Sequence, residues 1–328
     1  MVARTSRGAL TSEPTIGQPS KFWSVLGETH AAELERYGFE TIKRHQALRY
    51  FTWRWRWASL YESRQMRFLI AHSSPLTVIR CLGKRSDLSD AAWQGVAWSR
   101  RDRWLYAFAV RLLWEYALRH DRLDVLRLPE PELGAPLPVR WRGRLISQDL
   151  ANTALEATAL APALGAVAPR SILEVGGGYG RTAYGLLNVF PHANYTIIDI
   201  EPALTISRWY LGKLFGQDRL RFVNAAEAHK LPDNCYDVIF SISSLHEMTV
   251  DQVTSYLELF DRIASAGGIV FLKQWERWTN PHDAITLDFR DYRIPSRWRC
   301  VFDEPAPVQT NFRQAAWRVP RNASADPG

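Results

Sequence analysis

Ser171-Ile-Leu-Glu-Val-Gly-Gly-Gly-Tyr-Gly180 is the stretch on which the reading of the fold turns. Ile172, Leu173 and Val175 form an apolar run of strand length that passes directly into a turn made of Gly176, Gly177, Gly178, Tyr179 and Gly180. Arg181 to Phe190 then has helical periodicity, so the unit predicts a buried strand, a tight loop and a helix. Glycine lets a backbone approach a ligand closely, and the first turn of the helix offers N–H groups that lack intrahelical partners. A dinucleotide fingerprint would place glycines at the first, third and sixth positions. The sixth position counted from Gly176 is Arg181, which argues against a pyrophosphate ligand.

Glu174 argues the same way, since a carboxylate beside the loop repels phosphate and suits a cation such as the sulfonium or amino group of S-adenosylmethionine. Asp199 ends the next apolar run, 23 residues after Gly176. A carboxylate at the C-terminal edge of a strand can accept hydrogen bonds from both hydroxyls of a ribose. Further apolar runs at Tyr195–Asp199, Leu220–Asn224, Tyr236–Ile242 and Gly268–Lys273 alternate with helical stretches, which predicts a parallel α/β sheet. Arg297–Phe302 and Phe312–Val319 follow one another without a clear helix, as a terminal antiparallel pair would.

Upstream the pattern changes. From Lys21 to about His120 apolar residues recur at helical spacing, as in Ala31-Leu34-Tyr37 and Trp104-Phe108-Leu112-Tyr116. Four prolines between Pro129 and Pro138 mark a connector. The expected organisation is a disordered tail over 1–20, a helical region over 21–145 and a cofactor-binding domain over 146–328. The tail is read from its Ser, Thr, Pro, Gly and Arg content, which cannot offset the entropy of ordering.

Composition narrows the function classes. Of 328 residues, 46% are hydrophobic and 23% charged, the balance of a globular protein. The net charge of +7 comes from 41 basic residues interleaved with 34 acidic ones, which does not suggest the one-sided basic stripe of a nucleic-acid binder. Cys81, Cys235 and Cys300 have neither framework nor metal-knuckle spacing, which suits a reducing compartment. No window approaches about 20 apolar residues and Met1 to Ser20 lacks a secretory apolar stretch, so a cytoplasmic protein without membrane spans is expected. The Asn322-Ala323-Ser324 triplet is then a chance match.

Ile172 to Arg181, Asp199-Ile-Glu-Pro-Ala-Leu204 with Trp209-Tyr-Leu211, and Ser243-Ser-Leu-His-Glu-Met248 together resemble the class I methyltransferases. Within that class the sequence is similar to the sugar O-methyltransferases of bacterial secondary-metabolite and polysaccharide pathways. Phe22-Trp23, Gly38-Phe39 with Lys43-Arg44, Tyr50-Phe51 and Gly143 to Asn152 extend the likeness upstream. Glu201 departs from the pattern, where a second proline or a small residue is more usual. The resemblance implies a Rossmann-like seven-stranded sheet, mostly parallel with an antiparallel C-terminal strand, and S-adenosylmethionine as cofactor. It implies cofactor contacts from Glu174, Gly176, Gly177, Gly178, Tyr179, Gly180, Asp199, Ile200 and Ser243. Asn224 and Ala225 would lie near the adenine, and Gln148 or Asp149 would close over the methionine end; Ser147 and its neighbours read equally as a helix start.

Methyl transfer from a sulfonium needs no acid on the leaving side, so alignment of the acceptor and removal of its proton remain for the enzyme. His246 and Glu247 follow the strand Tyr236–Ile242 at the edge where ligands of open α/β sheets bind, and are the candidates for the base. His246 could instead serve only to fix its loop. No metal site is expected: His282, Asp283, Asp288, Asp291 and Tyr292 form a polar cluster whose spacing matches no metal motif and which reads as surface solvation. Trp275 and Trp278 stand near the acceptor side, whereas Trp53, Trp55 and Trp57, alternating with Arg54 and Arg56, read as core or interface residues. The expected reaction is O-methylation of a sugar-like small molecule, and a homo-oligomer is compatible with the sequence. The rivals are another small-molecule acceptor such as a polyketide hydroxyl or an amine, a catalytically silent protein of the same fold, and an oxidoreductase.

Overall fold

A computed structural model of the chain describes residues 15–17, 19–44, 64–83, 89–96, 98–165, 168–282 and 284–320. Tyr50-Phe51, the Trp53 to Trp57 alternation, Asp283 and the Asn322 triplet lie outside the described residues.

The upstream region holds helices α1 (Lys21–Tyr37), α2 (Arg64–Ala71), α3 (Pro75–Cys81) and α4 (Arg100–Leu118). Ser20, Ser74 and Ser99 start α1, α3 and α4, each accepting the N–H three residues on, which satisfies one donor the helix itself leaves free. A short hairpin, β1 (Arg140–Trp141) with β2 (Arg144–Leu145), leads to α5 (Gln148–Leu164), whose N-cap is Ser147. The helix start expected at Ser147 is therefore present.

The rest alternates as expected: β3 (Ser171–Val175), α6 (Arg181–Val189), β4 (Asn194–Asp199), α7 (Ala203–Phe215), β5 (Leu220–Asn224), β6 (Tyr236–Ile242), α8 (Val250–Ile263) and β7 (Ala264–Trp275). A small pair, β8 (Arg277–Thr279) and β9 (Thr286–Asp288), precedes β10 (Arg299–Pro305) and β11 (Phe312–Arg318). Seven strands form one sheet in the order β10-β11-β7-β6-β3-β4-β5. All neighbours from β5 to β7 are parallel, and β11 runs antiparallel to both β7 and β10. This is a Rossmann-like seven-stranded sheet, mostly parallel with an antiparallel C-terminal strand, as the sequence reading expected.

Successive strand residues face opposite sides, and the core divides accordingly. Ile172, Val238, Phe240, Ile269 and Phe271 join one cluster, together with Leu112 of α4 and Ile42, so the upstream helices share a core with that face of the sheet. Leu173, Val175, Ile239, Val270 and Leu272 join the other, which α8 covers through Val253, Leu257 and Phe260. Strand β3 is flanked by β4 on one side and β6 on the other, so the chain reverses its direction of travel across the sheet at β3. Ligands of open α/β sheets bind outside the strand C-termini at such a reversal, and Val175, Asp199 and Ile242 end the three strands there.

Residues 15–17 and 19–20 fall in the stretch read from sequence as a disordered tail, and here they are packed: Ile16 is buried in the α8-side core and Ser20 is buried as the cap of α1. One apolar side chain and a cap supply the anchoring that bulk composition does not reveal. Among the described residues no helix is long and apolar enough to cross a membrane.

Candidate cofactor and acceptor cleft

A cleft of about 340 Å³ opens at the C-terminal ends of β3, β4 and β6. The glycine turn forms its floor. Gly176, Gly178 and Gly180 all have positive φ, at 78°, 57° and 96°, a region costly for residues that carry a Cβ. At Gly176 a Cβ would also stand 2.2 Å from Ser244 Oγ, in the loop that follows β6. Glycine is needed there both for conformation and for the approach of two loops.

Two buried carboxylates flank the turn. Glu174 accepts a hydrogen bond from the Tyr195 hydroxyl at 2.8 Å, and burial pushes its pKa up to about 7. Asp199 accepts from the Gly178 N–H at 3.0 Å and from the Ile200 N–H at 2.8 Å, and burial likewise pushes it up to about 7 although both N–H groups oppose that rise. The two N–H groups occupy one lone pair on each Asp199 oxygen, leaving acceptor capacity for other donors. Glu174 and Asp199 thus line one cleft in which a cation and a pair of hydroxyls would relieve the desolvation of both.

Gly176, Gly177, Gly178, Tyr179, Ile200, Ala225 and Ser243 also line the cleft, as the sequence reading places them. Four candidates do not line it. Gly180 packs against Leu211, where an added Cβ would stand 2.8 Å from that side chain. Asn224 turns its amide back to accept the Ala226 N–H at 3.0 Å, a local cap. Gln148 is buried at the start of α5, and its amide atoms find no hydrogen-bond partner among the described residues. The neighbouring Asp149 accepts from the Tyr179 hydroxyl at 2.7 Å and so props the turn from behind.

His246 is the fourth. It is 2% exposed, and its Nδ1 lies 3.0 Å from Gln274 Oε1. Gln274 Oε1 also accepts the Ser244 N–H at 2.9 Å, while Gln274 Nε2 donates to the Ser241 carbonyl and hydroxyl. The amide is thereby oriented with its oxygen toward the ring, which makes Nδ1 the protonated nitrogen and leaves the Nε2 lone pair 3.7 Å from Glu247 Oε1. Burial holds the ring's pKa down to about 4, so it is neutral near pH 7. The same anchoring holds Ser243 in the left-handed region at φ 56°, with its N–H donating to the Lys273 carbonyl.

Glu247 does line the cleft, and it is reached from an unexpected direction. Trp23 of α1, 224 residues away in sequence, donates its indole N–H to Glu247 Oε2 at 2.8 Å. Trp23, Trp275 and Trp278 are all in the lining, and Phe22 meets the Trp278 ring edge-on at 5.4 Å, so α1 and the β8–β9 hairpin close this half of the cleft together. The sequence reading missed Ile16, Pro19, Ser20, Arg181, Met248, Gln252 and Tyr256 as lining residues. Arg181 follows the glycine turn and Met248 closes the Ser243 to Met248 motif, so both were within reach; the others carry no signal until the chain is folded. His282 packs against Phe22 instead of facing a ligand, and among the described residues no group of His, Cys, Asp and Glu could hold a metal ion.

Glu201, the departure from the family pattern, has a local task. Its carboxylate accepts the N–H of Thr205 at 3.0 Å and the hydroxyl at 2.6 Å, in the first turn of α7, whose N-cap Pro202 supplies no side-chain acceptor.

Residues 173–270, the glycine turn and both buried carboxylates included, match the family model of a methyltransferase domain. The cleft offers what S-adenosylmethionine would need: Asp199 for hydroxyl donors, Glu174 for positive charge, and a volume within the range of about 300–1,000 Å³ usual for small-molecule sites. Among curated proteins no sequence matches the chain. Similar solved structures include a SAM-dependent methyltransferase from Aquifex aeolicus, 18% identical over 46% of this chain and 82% of that one, with a TM-score of 0.37. The 1,6-didemethyltoxoflavin-N1-methyltransferase of Burkholderia thailandensis is 19% identical over 51% of this chain and 80% of its own, with a TM-score of 0.39. The geranyl diphosphate C-methyltransferase of Streptomyces coelicolor A3(2) is 11% identical over 53% and 80%, with a TM-score of 0.43.

Proposed function

We propose that the protein transfers a methyl group to a hydroxyl of a sugar or glycosylated small molecule, with Glu247 receiving the proton. The observation that carries this reading is the placement of Glu247 among Trp23, Trp275 and Trp278 in the same cleft as Asp199 and Glu174. Indole faces suit the C–H surfaces of a sugar ring, and a carboxylate between them can accept from a hydroxyl. The resemblance of Ser243 to Met248 and of the upstream motifs to sugar O-methyltransferases supports the same acceptor class.

The bound cofactor supplies an electrophilic methyl group and departs as a neutral thioether. Glu247 would orient the acceptor hydroxyl toward the cofactor half of the cleft and take its proton as the new bond forms, the combination of proximity and general-base assistance such a reaction requires. His246, neutral and bonded to Gln274, would anchor the loop that carries Glu247. Gly176 to Gly178, Asp199 and Glu174 would hold the cofactor.

A second reading has its own support: three indoles around one carboxylate would also receive an alkylammonium group, as cation–π sites do. Incubation with methyl-labelled S-adenosylmethionine and matched panels of methyl glycosides, amino sugars and aliphatic amines separates the two. Label in an acid- and base-stable ether on a neutral glycoside supports the proposal; label confined to amine nitrogen replaces it with the second reading.

A further inference from the structure

A buried ionic cluster adjoins the cofactor half of the cleft. Arg181 begins α6 directly after the glycine turn, and its side chain, 18% exposed, is part of the cleft lining. Its Nη1 donates to Thr153 Oγ1 at 3.1 Å and to Glu156 Oε2 at 2.6 Å, and its Nη2 donates to Glu156 Oε1 at 3.1 Å. Lys273 of β7 donates to the same Glu156 oxygen at 2.9 Å. Two cations therefore share one carboxylate, in a wall where Glu156 and Lys273 are 2% and 4% exposed. Of the five N–H groups of the guanidinium, three are used in these bonds, which among the described residues leaves the Nε–H and one Nη2–H.

Those two donors call for an anion. Glu174, on the strand that enters the same turn, restricts what kind. A phosphate would meet the Glu174 carboxylate, whereas a zwitterion that carries an ammonium beside its carboxylate would find an acid for one group and a guanidinium for the other. The N-terminus of α6, whose cap Gly180 makes no side-chain hydrogen bond, adds its partial positive charge on the same side.

We propose that Arg181 is the residue that binds the α-carboxylate at the amino-acid end of the cofactor, with Lys273 and Glu156 fixing the guanidinium in place. The assignment rests on S-adenosylmethionine as cofactor and is independent of the acceptor. Burial alone would lower the basicity of the guanidinium, but the neighbouring carboxylates, Glu156 foremost, raise it, so Arg181 carries its charge at every pH at which the protein is folded.

The test compares S-adenosylmethionine with its decarboxylated analogue, which lacks only the carboxylate, by calorimetric titration into the wild-type protein and into Arg181→Met. The wild type should bind S-adenosylmethionine roughly 10–100-fold more tightly than the analogue, the worth of charge-assisted hydrogen bonds to one carboxylate. In Arg181→Met that ratio should collapse to near one while analogue binding stays within about threefold, which also shows that the variant is folded. Should Arg181→Met fail to fold, Arg181→Lys keeps a cation beside Glu156 but loses the planar fork, and the ratio should fall partway. A wild-type ratio near one, or a full ratio in either folded variant, overturns the proposal. Failure of the wild type to bind either compound overturns the cofactor assignment itself, and the proposal with it.

Discussion

The wall of the cleft made by β3, β4 and the glycine turn holds its charge differently from the wall made by α1, the loop after β6 and the β8–β9 hairpin. On the first wall two carboxyl groups, Glu174 and Asp199, are buried against backbone N–H groups and a phenol, and both are pushed up to about 7. On the second, burial pushes the His246 imidazole down to about 4, and the carboxylate of Glu247 accepts an indole N–H from another part of the chain. The first arrangement is completed by a ligand that brings positive charge and hydroxyl donors. The second has a lone-pair nitrogen and a carboxylate side by side, an arrangement suited to receiving a proton. Binding and proton transfer are thus assigned to opposite walls, and each assignment can be broken separately.

The largest effect is expected on the second wall. Glu247→Gln should reduce methyl transfer by about 10²–10⁴-fold, the usual contribution of a general base, while S-adenosylmethionine affinity stays within twofold. Equal loss of both in a direct binding and turnover comparison would merge the two walls into one functional unit.

Next comes the support beneath the first wall. Lys43, from the upstream region, pairs with Glu130 at 2.9 Å, touches the Tyr210 hydroxyl, and lies over the rings of Tyr179 and Tyr210. Lys43→Met leaves the Glu130 carboxylate buried without its cation, so urea unfolding should show a loss of about 3–5 kcal/mol. Cofactor affinity should fall as well, because Tyr179 loses its backing. An unchanged midpoint would show that the upstream region is not structurally coupled to the turn.

The titrations of the two walls have opposite signs. Glu174 and Asp199 have folded pKa values above the ordinary carboxylate range, so the stability they contribute is present at low pH and is lost as pH rises through about 7. A ligand that favours their ionised forms reverses this: S-adenosylmethionine affinity should rise with pH through 7, by up to about tenfold per unit for each coupled proton, with proton release visible in buffers of different ionisation enthalpy. His246 is depressed, so its contribution is lost as pH falls from about 6.5, the ordinary value, toward about 4. His246→Phe should flatten that acid limb in thermal melts and leave the alkaline one unchanged. The smallest effect belongs to Trp23→Phe, which keeps an aromatic ring but removes the indole N–H from Glu247: turnover should change severalfold, with the acid limb of its pH profile displaced upward because an ionised carboxylate loses a donor. No displacement would reduce Trp23 to packing.

The two walls also differ in how far they could be read from sequence. The first is local: one strand, one turn and the end of the next strand carry Glu174, the glycines and Asp199 within 29 residues of Ser171, so apolar runs and glycine chemistry suffice to place them. Strand bounds followed for the same reason, with Ser171–Val175, Leu220–Asn224 and Tyr236–Ile242 found as read. The second wall joins residues from α1, the loop after β6 and the β8–β9 hairpin, and a hydrogen bond spanning 224 positions leaves no periodic trace. Ile16 and Ser20 sit in a stretch whose composition resembles disorder, and only docking reveals their packing. Gln148 and Asn224 show the converse: their positions near the site were legible, but the direction of a side chain depends on its neighbours, and Asn224 turned to its own backbone.

Calorimetric titration of S-adenosylmethionine into the wild type and into Asp199→Ala tests the central claim most directly. The cleft described here predicts binding to the wild type with proton release near neutral pH, and a loss of roughly 100-fold on substitution, because the ribose acceptor and the clasp on the Gly178 and Ile200 N–H groups disappear together. No binding to the wild type, or equal binding to both proteins, would contradict it.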